Sequence, residues 1–264
     1  MRNDRVNHIT VCGLALLLAL AVPRIAAAAE IVLLASNGIR PVLDEVLPQF
    51  EQSTKHRVLA RYDVAAELRR QIEAGQAFDL AILTAGQLDA VMKSGFIVSG
   101  TRMALAQTPM AIAIRAGAGR PDIRTTAALV RTLQDATTIT YAREGAGGVY
   151  FTQLQQKLGL AENLKTKLRP VGTGADASAA VARGDAQLGV LPLSEILPVK
   201  GVEVLGPFPA DVQDPMVMVA GISAAAKQRA AATALVTFLN SPEVRPVLKK
   251  KGMARAGRES RDSP

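Results

Sequence analysis

Small and polar residues follow several strand-like segments of this sequence, at the places where an α/β protein binds its ligand. Ser36 and Asn37 follow the first apolar segment, and Ala65 and Ala66 follow the second. Loops at the carboxyl ends of parallel strands lead into helix N-termini, whose free N–H groups and partial positive charge favour anions. The pattern therefore predicts a binding site for a small anion.

Two further loops extend this set of candidate ligand-binding residues. Gly172, Thr173 and Gly174 stand between a strand-like segment and a helical one, and residues 143–150 contain four small residues in a row at 145–148. Glycine leaves backbone N–H groups accessible to an anion, although the same residues also suit a flexible turn. No Gly-Lys-Ser/Thr follows, so residues 145–148 are not a Walker phosphate loop, and they do not form a dinucleotide fingerprint.

The candidate side chains each have an alternative, purely structural role. Ser36 and Asn37 offer hydroxyl and amide donors to a ligand, or else serve in a turn and cap a helix. Arg143 pairs either with a ligand oxyanion or with its neighbour Glu144. Tyr150 stands at a helix start, where it either lines a cleft or packs in the core.

Catalysis and metal binding find little support in the residue types. Only His8, His56 and Cys12 are available as nitrogen or sulfur ligands, which excludes a Cys/His metal site. No nucleophile elbow is present, and carboxylates such as Asp79 and Glu195 belong to no paired motif. We expect no cofactor and no enzymatic activity, although a pair of carboxylates brought together by folding would be invisible in sequence.

Composition sets the class of protein. The 264 residues are 49% hydrophobic and 20% charged, which excludes a disordered chain. The formal charge is +8, but tryptophan is absent and aromatic residues make up only 3%, so a stacking surface for nucleic acid is not expected. A positive field would speed the capture of an anion.

The N-terminus has the order of a secretory signal peptide. Arg2 and Arg5 precede an apolar run over residues 9–22, and the small residues 27–29 form a cleavage site. The alternative is a membrane anchor, but 14 residues span only about 21 Å, less than the ~30 Å of a bilayer core. We expect cleavage after Ala29 and a periplasmic protein.

The remaining chain alternates strand-like and helical segments, which predicts an α/β fold with two lobes, each a mostly parallel sheet flanked by helices. Residues 30–105 and 210–254 are assigned to lobe one and residues 106–209 to lobe two, with a two-strand hinge between them. Residues 255–264 are expected to be a disordered tail. Ser223 is expected to cap a long Ala-rich helix, and Ser241 a final one.

Several stretches resemble the periplasmic molybdate-binding proteins of ABC importers. Residues 67–80 share the family's leucine, its Gln-Ile pair, its acid-x-Gly turn and the aspartate that opens the next strand. Similar matches occur at residues 147–151, 157–160, 184–190 and 238–243. The resemblance covers most of residues 30–253.

This resemblance implies a type II periplasmic-binding fold that closes on a tetrahedral oxyanion and delivers it to a permease. Ser36 matches the family's first serine, whereas the second serine position falls at Ala65 or Ala66, and Pro192 stands where some members have tyrosine. The second-lobe backbone donors would be Gly147, Gly148, Val149 and residues 172–175. These departures favour another anion, such as a carboxylate met by Arg143 or by Arg40, unless Arg40 is simply a surface residue.

The sequence thus predicts an exported, monomeric solute-binding protein whose partners are a small anion and an ABC permease of the inner membrane. A ligand sensor for a membrane receptor and a secreted enzyme on the same fold are the alternatives. The effector domain of a transcription regulator is disfavoured by the leader.

Overall fold

The structure, a computed structural model, describes residues 28–257. The predicted signal peptide therefore lies almost wholly outside the described residues, as do residues 258–264. The strands are β1 (Glu30–Ser36), β2 (Arg57–Asp63), β3 (Leu80–Thr84), β4 (Met103–Thr108), β5 (Met110–Arg115), β6 (Ile139–Ala142), β7 (Leu168–Val171), β8 (Leu188–Pro192), β9 (Val202–Pro207) and β10 (Met216–Ile222). The helices are α1 (Arg40–Thr54), α2 (Ala65–Glu73), α3 (Ala85–Lys93), α4 (Thr126–Asp135), α5 (Ala146–Lys157), α6 (Ala161–Leu164), α7 (Gly174–Arg183), α8 (Leu193–Ile196), α9 (Arg229–Leu239) and α10 (Arg245–Lys250), with 3-10 turns at Asn37–Ile39 and Pro242–Val244.

Two five-stranded sheets form the centres of two lobes. The strand order is β2-β1-β3-β10-β4 in lobe one and β7-β6-β8-β5-β9 in lobe two. Three strands in each sheet are paired in parallel, and one strand, β10 or β5, runs antiparallel to both of its neighbours. Four of the five strands in each sheet therefore point the same way, which confirms the predicted two-lobed α/β fold.

The antiparallel strands are the ones that enter each sheet from the other lobe. Pro109 alone separates β4 from β5, and residues 208–215 separate β9 from β10. Residues 106–108, which we expected in lobe two, pair with β10 in lobe one. Val212, expected in lobe one, packs in the core of lobe two. The first crossing falls at Pro109 because proline lacks the N–H that would extend the ladder.

Apolar side chains from both faces of each sheet make the core. In lobe one, β1 and β3 are nearly continuous apolar runs, and their alternate residues pack against α1 and α9 on one face and α2 and α3 on the other. Such runs are typical of strands buried on both faces. The packing fixes the carboxyl ends of β1 and β3 at one edge of the sheet, where the ligand loops begin.

The N-terminus of α9 is stabilised by an aspartate from a distant segment, not by Ser223. The helix begins at Arg229, and the buried Asp79 accepts hydrogen bonds from the N–H groups of Lys227 and Gln228 at 2.8 and 2.9 Å. Its second oxygen accepts from the Val32 N–H at 2.9 Å. The prediction that Ser223 caps this helix is therefore wrong, because a remote carboxylate satisfies the same free amides.

The C-terminal segment folds back on lobe one. A 3-10 turn separates Ser241 from α10, and the Ser241 hydroxyl makes no capping hydrogen bond, contrary to expectation. Arg255, placed in the expected tail, donates to the carbonyl and side-chain oxygens of Asn240.

Within residues 28–257, no helix has both the length and the apolar character needed to cross a bilayer.

Candidate ligand-binding site

The carboxyl ends of strands from both sheets meet around one small cavity, of about 20 Å³. From lobe one it is lined by Ser36, Asn37, Val64, Ala65 and Met216, and from lobe two by Ala142, Gly145, Ala146, Gly147, Gly148, Gly174, Val190, Leu191, Pro192 and Glu195. Such a volume holds about one water-sized group. The lobes are therefore in a closed arrangement, and they would have to move apart to admit an anion larger than water.

Polar contacts on two sides of the cavity hold the lobes together. On one side the buried Ser194, in α8, donates its hydroxyl to the Gly38 carbonyl at 3.1 Å and its N–H to the Thr108 hydroxyl of β4 at 3.3 Å. On the other side, Arg70 of α2 forms an ion pair with Glu144 at 2.8 Å. Both side chains of this pair are more than half exposed, so solvent weakens it. The closed arrangement is thus held by two buried hydrogen bonds of Ser194 and one exposed ion pair.

Three helix N-termini contribute unbonded amides to the cavity region. In α2 the N–H groups of residues 67 and 68 both bond to the Val64 carbonyl, which leaves those of Ala65 and Ala66 without a backbone acceptor. In α5 the Gly145 carbonyl takes the N–H groups of residues 148 and 149, which leaves Ala146 and Gly147. In α7 the Thr173 hydroxyl and carbonyl accept from the N–H groups of residues 176 and 177, which leaves those of Gly174 and Ala175 without an acceptor. Free first-turn amides and the helix dipoles favour a negatively charged group here.

Ser36 is held ready to donate to a ligand. It ends β1, is 5% exposed, and has the extended conformation that precedes the turn Asn37–Ile39. Its side chain makes no capping hydrogen bond, so the alternative role of a helix cap is not used. Asn37 lines the same cavity from the first residue of the turn.

The glycines of the second-lobe loop allow a close approach of α5 to the sheet. A Cβ on Gly148 would lie 1.9 Å from the Ala142 carbonyl oxygen, and one on Gly147 would lie 3.0 Å from Met110 Cε and 3.1 Å from Pro192 Cδ. The N-terminus of α5 therefore rests directly on the ends of β6 and β8. These glycines fix the helix against the cavity, so the loop is packed and its amides are held in place.

The loop before α7 is divided between capping and the cavity. The Thr173 hydroxyl accepts from the Asp176 N–H at 3.1 Å, and the Asp176 carboxylate accepts from the Thr173 N–H at 3.1 Å, which together make a capping box. Gly172 does not line the cavity, and Thr173 lines only a neighbouring opening. Of the three candidates in this loop, Gly174 alone reaches the cavity.

Four other predicted site residues lie outside the cavity. Arg143 is exposed, and Glu144 pairs with Arg70 of the other lobe instead of with Arg143. Ala66, Val149 and Tyr150 line an adjacent groove of about 230 Å³. The Tyr150 hydroxyl donates to the Val212 carbonyl, and its ring lies 6.0 Å from that of Phe208, so Tyr150 packs against the second crossing segment.

Glu195 lines the cavity, although no motif in the sequence marks it as a site residue. Its carboxyl lies in the cavity wall between Gly38 and Gly174. Burial raises the pKa of this carboxyl from 4.5 to about 7. Of the described residues that line the cavity, none is Lys or Arg, so amide donors and one titratable acid define its electrostatics. The only sequence signal was its place just after β8, at the carboxyl end of a strand.

The sequence profile of bacterial extracellular solute-binding proteins matches residues 31–254. The chain belongs to this family. A molybdate-binding protein of Azotobacter vinelandii, ModA, is 30% identical over 233 residues, covering 86% of this chain and 90% of that protein, which confirms the predicted resemblance.

Two further comparisons place this solute-binding protein among its relatives. An aconitate isomerase of a Pseudomonas species is 29% identical over 235 residues, covering 83% of this chain and 86% of that protein. The solved structure of the Azotobacter vinelandii periplasmic molybdate-binding protein has a TM-score of 0.73 at 19% identity, covering 86% of this chain and all of that one. The chain is thus similar both to proteins named as binding proteins and to one named as an enzyme.

Proposed function

We propose that the protein is exported to the periplasm, captures a small anion in the cavity between its lobes and delivers it to an ABC permease. The observation that carries the proposal is the convergence of unbonded amides from α2, α5 and α7, together with the Ser36 hydroxyl, on one interlobe cavity. Closure around the ligand would present a distinct surface to the permease, or to a membrane receptor if the protein is a sensor.

The cavity lacks two side-chain hydroxyls found in the molybdate-binding family, which supports a ligand other than molybdate itself. Lobe one supplies one serine hydroxyl, because Ala65 and Ala66 stand at the positions of the family's second serine, and Pro192 stands at that of its tyrosine. The backbone N–H donors that remain suit either another oxyanion similar to molybdate or a small carboxylate. Arg40 lines the opening next to the cavity, where it would meet a second acidic group of a larger anion.

A thermal-shift panel tests this proposal. Molybdate, tungstate, sulfate, phosphate and small carboxylates are added to the purified protein, and a ligand at 100 times its Kd should stabilise it by about 2.7 kcal/mol. Ser36→Ala should weaken binding about 10- to 100-fold, because a hydrogen bond to a charged group is worth about 1.5–3 kcal/mol. Ser94→Ala, at an exposed serine of lobe one, is the matched control. The absence of any shift, or an unchanged affinity in Ser36→Ala, would contradict the proposal.

An isomerase is the second candidate function, favoured by one residue. The similarity to an aconitate isomerase extends over most of the chain. Glu195 lies in the cavity, and a carboxyl with a pKa near 7 can both accept and return a proton at neutral pH, as a proton-transfer isomerisation requires. Incubating the protein with cis- or trans-aconitate and following the two isomers by proton NMR tests this candidate. Turnover that is lost in Glu195→Gln and retained in Glu162→Gln would favour it over simple binding.

A further inference from the structure

The Glu195 side chain fills the gap between the first turn of lobe one and the N-terminus of α7. A Cβ on Gly174 would lie 1.7 Å from Glu195 Oε2, and a Cβ on Gly38 would lie 3.4 Å from Oε1. The carboxyl therefore lies against the backbone of both lobes. Glu195 also lines the neighbouring opening together with Arg40, so it stands at the boundary between the cavity and its entrance.

No described residue forms a hydrogen bond or ion pair with this carboxyl. The backbone carbonyl of Glu195 accepts from the Ser178 hydroxyl at 3.2 Å, but its carboxylate oxygens have no protein partner. The charged groups on the elements packed around α8 contact other partners. Arg40 forms an ion pair with Asp44 and lies over the Tyr62 ring, and Asp176 accepts a hydrogen bond from Thr173. Glu203 pairs with Arg120 and Arg183 with Asp185, while Arg115 lies beside Gly184 at the far end of α7.

An anion in this cavity and an ionised Glu195 would repel each other. The cavity is too small to separate them, and no cationic side chain lines it to offset the two charges. One proton placed between the carboxyl and the anion converts the repulsion into a hydrogen bond, with either group as the donor.

We propose that Glu195 shares one proton with the bound anion, and that this proton determines which anions the cavity accepts. The inference rests on the proposed function, since it concerns the same cavity. Hydrogen phosphate brings a proton of its own and donates it to the carboxylate. Sulfate, molybdate and ionised carboxylates carry none at neutral pH, so they bind only when Glu195 takes a proton from solvent. Because desolvation raises the pKa of Glu195, that proton uptake costs little free energy near neutral pH.

Calorimetry of the wild-type protein measures the number of protons taken up when an anion binds. Sulfate, molybdate, phosphate and a carboxylate from the panel are titrated at pH 8 in two buffers of different ionisation enthalpy. Sulfate, molybdate or the carboxylate should bind with uptake of about one proton each, and phosphate with almost none. The affinity for the proton-free anions should fall about tenfold for each pH unit above 7.

Glu195→Gln separates this inference from a purely structural role for the residue. The variant should bind the proton-free anions without proton uptake and with an affinity that does not change between pH 6 and 8. At pH 8 its preference for phosphate over sulfate should shrink about tenfold relative to wild type. Glu162→Gln, at an exposed glutamate on α6, should behave as wild type.

The outcomes are distinct for the two proposals. If proton-free anions bind without proton uptake, or if phosphate alone binds and Glu195→Gln keeps the same preference, the inference is overturned while the proposed function stands. If no anion of the thermal-shift panel binds, the proposed function fails, and the inference fails with it.

Discussion

The stability of the protein should depend on pH through Glu195, in a way that Glu195→Gln removes. The pKa of this carboxyl is about 7 in the folded protein and 4.5 in its ordinary state. Between these two values the folded chain keeps a proton that the unfolded chain has lost, so the free energy of unfolding falls as the pH rises from about 4.5 to about 7. At about 1.36 kcal/mol for each pH unit, the full loss is about 3 kcal/mol. Partial exposure of the residue makes this an upper figure.

Urea unfolding of wild type and Glu195→Gln, followed by circular dichroism between pH 4.5 and 8, measures the effect. The variant should match wild type near pH 4.5 and exceed it by up to about 3 kcal/mol above pH 7, because glutamine stays neutral throughout. Glu162→Gln should give a constant difference from wild type. A difference between Glu195→Gln and wild type that does not change with pH would refute the assignment of a desolvated carboxyl at this position.

Three further predictions concern the frame of the site. Gly148→Ala should lower the free energy of unfolding by about 1–3 kcal/mol, because its Cβ would meet the Ala142 carbonyl at 1.9 Å, whereas Gly86→Ala, with open space around it, should be neutral or stabilising in urea unfolding. Asp79→Ala should cost about 3 kcal/mol or more, since it leaves three amides unpaired at about 1 kcal/mol or more each, with no change in calorimetric anion affinity. Glu144→Gln should weaken anion affinity less than about fivefold in calorimetry, because the lost interlobe pair is exposed to solvent.

The order of strands and helices was largely predictable because the buried strands are short apolar runs, and β1 and β3 each end at a polar residue, Ser36 and Thr84. β1 and β3 are of this kind, and Thr125 caps α4 as its position suggests, accepting the Ala128 N–H at 3.2 Å. β4 is hard to recognise from sequence because the segment Met103–Thr108 mixes apolar and polar residues without a clean alternation. Its place as an edge strand is set by pairing with β10, which a local pattern does not reveal.

The candidate site was predictable only where it follows the rule that ligands lie beyond the carboxyl ends of strands. That rule located Ser36 and Gly174, which the structure brings to one cavity. It did not separate Thr173, which is used in a capping box, from its neighbour Gly174. Nor did it identify Glu195, because the burial of that carboxyl depends on backbone segments from two other parts of the chain.

Amide NMR during an anion titration tests the central claim most directly. If the cavity between the lobes is the binding site, the largest shifts of ¹⁵N-labelled protein should fall on the free amides of Ala65, Gly147 and Gly174, and Ser36→Ala should reduce them at equal anion concentration. Shifts confined instead to the opening around Phe78 and Phe96 at the far end of lobe one, or spread over exposed lysines and arginines, would contradict it.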